Sequence, residues 1–147
     1  MHPLKIKLEK LIPHQGRMCL LDEVLFFDDH SIICSASSHR SMDNPLRGPR
    51  GLHVVAGVEY AAQAAAVHGA LNSSRSDLPN ALRVLGLVSE VQFHQNELHA
   101  LPLLEIHAEL LGEQLTSQMY AFKILSEGMP VLSGRLGVFE HAVTHRP

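Results

Sequence analysis

Hydrophobic and polar positions along the chain change their period twice. From Leu103 to the C-terminal region the alternation is two. In "LLEIHAELL", Glu105, His107 and Glu109 fall on one side and Ile106, Ala108 and Leu110 on the other, the pattern of a strand with one face inward. "LTSQMYAFKIL" and "VLSGRLGVF" continue it, with Leu132, Gly134, Leu136 and Val138 alternating against Ser133, Arg135 and Gly137. The segments "GEQ" and "SEGMP" read as the turns between them, and "RVLGLVSEVQF" as one further strand before them. Upstream, "CLLDEVLFF" and "SIICSAS" read as two extended segments joined by the turn-like "DDH". Leu4–Leu11 reads as a short helix closed by Pro13.

Between these groups lies Leu52–Leu71, "LHVVAGVEYAAQAAAVHGAL", with no polar face wide enough for a surface helix. Its alanines favour a helix, and "HGALNSSRSDLPN" stops it. A helix apolar nearly all round has to be covered on most sides. The order of two strands, one buried helix and four strands predicts a curved antiparallel sheet wrapped around the helix, an α+β domain spanning residues 1–147. The alanines at 61, 62 and 64–66 would let the sheet approach closely.

Composition narrows the function classes. With 12 basic and 15 acidic residues in 147, the net charge is -3; no basic stripe exists, and aromatic residues are few. Nucleic-acid binding is therefore not expected. The start of the chain lacks the apolar core and cleavage site of a secretory signal. Leu52–Leu71 is long enough to span a bilayer, but it carries His53, Glu59, Gln63 and His68, so a core helix in a cytoplasmic protein is expected rather than a membrane anchor. Cys19 and Cys34 lie in apolar segments and read as reduced core thiols.

The candidate chemistry centres on Glu59, the one carboxylate of the central helix. Burying an acid is costly unless it is paired, protonated or used. One resolution is structural: backbone amides at a helix start, or Arg47 or Arg50 of the preceding loop "HRSMDNPLRGPRG", would satisfy it. The other is catalytic. "GPRG" lacks the lysine and the preceding strand of a phosphate loop. No nucleophile motif suggests a covalent acyl-enzyme. The "HAVTH" pair, His141 and His145, shows no third metal ligand. Neither a metal nor a cofactor is expected.

Two motifs carry a resemblance. "LIPHQGRMCLLDEV" matches the leucine-proline-histidine segment and the later aspartate-x-valine of 3-hydroxyacyl-ACP dehydratases, through Pro13, His14, Leu20, Leu21, Asp22 and Val24. "GVEYAAQAAA" matches their central-helix acid, followed one helical turn later by glutamine, at Glu59 and Gln63. "VQF" at Val91–Phe93 resembles the start of the family's third strand. The resemblance covers essentially the whole chain and implies the hotdog fold. The sequence departs from the better-known members where their loop histidine would stand, at Pro45, and "HALP" replaces their proline-glycine-aspartate turn. It resembles most the shorter, divergent dehydratase-like group of aryl-polyene type gene clusters, which shares the asparagine-proline of Asn44–Pro45.

That resemblance implies a lyase working on 3-hydroxyacyl thioesters carried by acyl carrier protein or coenzyme A. It implies a homodimer, or a heterodimer with a related hotdog subunit, and an acyl tunnel along the central helix. Dehydration needs a general acid and a general base. Glu59 is expected to be one, and His53, near the helix start, is the first histidine candidate, ahead of His14 and His39. Gln63, His14 and Gly57 are expected around the substrate, with Gln63 bonded to Glu59 or to a loop backbone; His68 reads as structural. Two alternatives remain: a catalytically weak partner subunit that binds the carrier or shapes the tunnel, and a hotdog thioesterase.

Overall fold

The computed structural model describes residues 8, 18–72 and 82–141. Six strands form one antiparallel sheet: β1 (Glu23–Phe27), β2 (Ser31–Ala36), β3 (Leu82–Phe93), β4 (Leu104–Gln114), β5 (Ser117–Ser126) and β6 (Met129–His141), in the order β1-β2-β4-β5-β6-β3. The helix α1 (Gly57–Leu71) packs on the inner face against β2 to β6. Residues 61–68 are all buried, which accounts for the absence of a polar stripe in that stretch. The expected order of elements and the central helix are as the pattern predicts. The Leu4–Leu11 helix falls outside the described residues except for Leu8, which is buried in the core.

Element ends differ from the expectation for identifiable reasons. The helix begins at Gly57 rather than Leu52 because residues 52–54 are paired elsewhere. Leu98 N–H donates to Leu52 O at 2.8 Å, Val54 N–H to Asn96 O at 3.1 Å, and Leu52 N–H to His99 Nδ1 at 3.0 Å. A single 3-10 turn, Val54–Ala56, then leads into α1. "GEQ" is strand rather than turn. A bulge between Leu110 and Gly112 lets β4 run on to Gln114, and the chain reverses at Leu115–Thr116. The next reversal uses Glu127 (φ 50°) and Gly128 (φ 78°), the doubly positive geometry of a tight hairpin, so Met129 and Pro130 already belong to β6. "DDH" does turn: the Asp28 carboxylate accepts the N–H groups of His30 at 2.9 Å and Ser31 at 2.7 Å. Those bonds hold the Asp28 carboxyl below its usual pKa.

Close approach of helix and sheet is clearest at Gly57. A Cβ there would lie 2.5 Å from Leu132 Cδ2 and 3.2 Å from Ile124 Cδ1, so only glycine lets the first turn of α1 sit on β5 and β6. Neither cysteine forms a disulfide. Burial pushes the Cys34 thiol up to about 12, which leaves it an inert core group.

Candidate active site at the start of the central helix

His53 and Glu59 belong to the same end of α1. The His53 side chain caps the 3-10 turn, its Nδ1 accepting the Val55 N–H at 3.0 Å. An accepting Nδ1 carries no proton in the neutral ring, so Nε2 bears the N–H. The ring is exposed and meets Phe93 edge-on at 6.5 Å between centroids. Glu59 lies in the first turn of α1 and is half-buried. It is thus at the helix start, where the helix dipole favours negative charge, and not in the middle of a fully buried helix. Glu59 has an interaction partner, and among the described residues no ion pair links it to Arg47 or Arg50.

The other expected residues divide. Gln63 is 1% exposed and fully engaged by backbone: its Oε1 accepts Leu20 N–H at 2.9 Å and its Nε2 donates to Met18 O at 2.6 Å. Of the two bonds expected for it, the loop one forms. Gln63 clips residues 18–20 onto α1. Gly57 packs against the sheet, and its N–H is taken by the carbonyls of Val54 and Val55; its contribution is to place the first turn. His14 lies outside the described residues, as does His145, while His141 ends β6.

His68 and His39 are structural. His68 is 1% exposed; Nε2 donates to Asp28 O at 2.9 Å, so Nδ1 accepts from the Tyr120 hydroxyl at 2.7 Å. His39, also buried, points Nε2 at the carbonyls of Leu101 (2.8 Å) and Pro102 (3.0 Å). Its Nδ1 has no hydrogen-bond partner among the described residues. Burial lowers the pKa of both rings, partly offset by these backbone bonds.

Sequence reasoning missed the network beside Glu59. Tyr60, fully buried, shares its hydroxyl with Ser38 Oγ at 2.7 Å and Asn44 Nδ2 at 3.0 Å. Asn44 Nδ2 also donates to Ser38 O at 3.0 Å, and its Oδ1 accepts the Leu46 N–H at 2.8 Å. The Asn44–Pro45 loop is therefore latched to the residue following Glu59. The Asn-Pro pair signalled a turn, but its anchor is distant in sequence.

A groove of about 980 Å³ lies on the outer face of the sheet, lined among others by Ser31, Ile33, His107, Glu109, Lys123 and Arg135. No residue of α1 lines it. Among the described residues no cluster of His, Cys, Asp or Glu could hold a metal ion, and no helix is long and apolar enough to cross a membrane.

Among the described residues, a six-stranded antiparallel sheet around one central helix, with an acid in that helix's first turn, makes a hotdog domain. A family model described as ApeP-like, ApeP dehydratase, matches residues 6–146, and the chain belongs to that family. Its function is accordingly dehydratase-like. No curated protein sequence matches the chain. Among solved structures, the dehydratase heterocomplex ApeI:P from Xenorhabdus doucetiae is 21% identical, covering 95% of this chain and 94% of that one, with a TM-score of 0.83. AziG from S. sahachiroi is 19% identical, covering 90% and 99%, with a TM-score of 0.61. A hypothetical thioesterase with coenzyme A from Streptococcus pneumoniae is 15% identical, covering 82% and 85%, with a TM-score of 0.56. These structures share the fold.

Proposed function

We propose that this chain acts in dehydration of 3-hydroxyacyl thioesters, held on acyl carrier protein or coenzyme A during fatty-acid or polyene synthesis, as one half of a hotdog dimer in the cytoplasm. The single observation that carries the reading is Glu59, a half-buried carboxyl on the first turn of the central helix in a chain of the ApeP-like dehydratase family. In the forward reaction a base removes the α proton and an acid protonates the β hydroxyl. The C–O bond then breaks, giving water and the enoyl thioester. A carboxylate on the helix start suits the base, with the dipole holding its charge. His53, with a proton on the exposed Nε2, is the acid this chain offers. Gly57 and Gln63 act behind the site by seating α1 and the 18–20 segment, and the family resemblance assigns His14 to substrate binding.

Edge strand β3 supports a partner subunit. It is 12 residues long, its outer edge pairs with no strand among the described residues, and Leu85, Leu87, Val88 and Phe93 are exposed along it. A long apolar edge of this kind is ordinarily covered, and a related hotdog subunit, as in the ApeI:P heterocomplex, would cover it. Because residues 61–68 are already enclosed by this chain, an acyl tunnel beside Glu59 would need walls from both subunits.

A second reading is favoured by Pro45, which stands where the resembling dehydratases carry their loop histidine: the chain would be a weakly active partner that completes another subunit's site. Hydration of a trans-2-enoyl thioester, followed by loss of enoyl absorbance, separates the two. Activity of the chain alone, or of its complex, that disappears in Glu59→Gln supports the first. Activity of the complex indifferent to that change supports the second. Release of free thiol in place of hydration would instead identify a thioesterase.

A further inference from the structure

The Arg47–Gly51 turn has a construction that the dehydration chemistry does not use. Gly48 N–H donates to Gly51 O at 2.9 Å and Gly51 N–H to Gly48 O at 3.1 Å, closing a two-residue hairpin with Pro49 and Arg50 at its tip. Pro49 fixes one backbone angle of that tip. Gly51 has φ 103°, and a Cβ on it would lie 2.3 Å from the His99 ring. His99 is itself fixed, with Nδ1 accepting the Leu52 N–H at 3.0 Å and Nε2 3.4 Å from the Glu97 carboxylate. On the other side, Arg47 N–H donates to Asn44 O at 3.0 Å, and the buried Asn44 is latched to Tyr60 and Ser38.

Both ends of the loop are therefore anchored, and it displays a half-buried Arg47 and an exposed Arg50. Neither forms an ion pair among the described residues. Asp43 is the one carboxylate between Arg40 and His53, in a chain whose net charge is -3. Guanidinium groups held without a protein carboxylate are suited to an external anion, and their planar fork of donors matches phosphate. The segment 52–56 joins this turn directly to the first turn of α1.

We propose that the Arg47–Gly51 turn binds the phosphate of the arm that carries the thioester, the group shared by carrier-protein and coenzyme A substrates. The turn then favours phosphate-bearing thioesters over free ones. This rests on the thioester reading above.

Calorimetric titration of the full chain with one enoyl group presented three ways tests it: as the coenzyme A thioester, the carrier-protein thioester and the phosphate-free pantetheine thioester. The native chain is expected to bind the two phosphate-bearing forms about tenfold more tightly than the pantetheine form. Arg47→Gln with Arg50→Gln should remove that advantage while leaving pantetheine-thioester affinity in place, and the advantage should shrink as salt is raised. Lysine at both positions should restore part of it, which a folding defect would not. A loss confined to the carrier-protein form would overturn the proposal, since the arginines would then read a protein surface. Native and variant chains binding all three thioesters alike would overturn it while leaving the thioester reading intact. No binding of any thioester by the native chain, alone or joined to its partner subunit, would overturn both.

Discussion

The two ends of α1 each carry an ionisable side chain, and they are handled in opposite ways. At the C-terminal end His68 is buried, with each ring nitrogen in a hydrogen bond, one to Tyr120 and one to the Asp28 carbonyl. At the N-terminal end Glu59 is half-buried and His53 is exposed, with one nitrogen committed to capping and the other carrying a proton. A group with every polar atom engaged inside the core can hold structure but cannot exchange protons with a substrate. A group that keeps a reachable atom can. On the proposed function, position relative to the sheet, more than residue type, divides the chemistry of this helix from its architecture.

The largest effect should come from Glu59→Gln, which keeps shape but removes the proposed acid-base group. Hydration of an enoyl thioester should fall by about 10²- to 10⁴-fold, with the melting temperature nearly unchanged because a half-buried first-turn side chain is being replaced by a near-isostere. Activity within twofold of native would erase the functional half of the comparison. His68→Ala should do the reverse. Stability measured by urea unfolding should drop by about 2–4 kcal/mol, since a cavity opens and Tyr120 and the Asp28 carbonyl lose a partner. Activity per folded molecule should hold.

Gly57→Ala sharpens the contrast by moving the N-terminal end without touching its chemistry. The added methyl meets the side-chain ends of Leu132 and Ile124, and the first turn of α1 is expected to lift, taking Glu59 with it. A stability loss of about 1–3 kcal/mol is expected, together with a fall in activity, read by denaturation and by the hydration assay on the same sample. An unchanged activity would mean that the sheet gives way instead of the helix.

How far the sequence foretold this follows from range. The central helix and the alternating strands are legible because burial imposes their periods residue by residue, and Glu59 stood out as the one acid in an apolar run. The chain could not reveal that Leu52–Val54 bond to the 96–99 segment rather than joining α1, because those partners are more than forty residues away. For the same reason Gln63 was expected near substrate, whereas its amide holds the backbone of Met18 and Leu20. The Tyr60–Ser38–Asn44 latch likewise joins three residues that no local pattern relates. Patterns report which face is buried; they do not report which buried polar atoms find each other.

The smallest effect concerns pH and extends the C-terminal half of the comparison to His39. Both buried rings have pKa values lowered from the usual 6.5, chiefly by burial. His68 is faced by Asp28, Glu113 and His30, and His39 by Arg40 and Asp22. Folded, each ring resists protonation; unfolded, each protonates near 6.5. The unfolded state therefore binds more protons as pH falls through that value. The stability contribution is intact above 6.5 and declines as pH drops toward the lowered folded pKa. Each ring adds at most about 1.4 kcal/mol per pH unit to that decline. Urea midpoints taken at several values between pH 7.5 and 5 should slope downward for the native chain, and His68→Gln, which cannot titrate, should be less steep by up to one ring's share. An equal slope in both would mean that His68 titrates alike in the folded and unfolded chain, and that its two hydrogen bonds do not hold it in the neutral form.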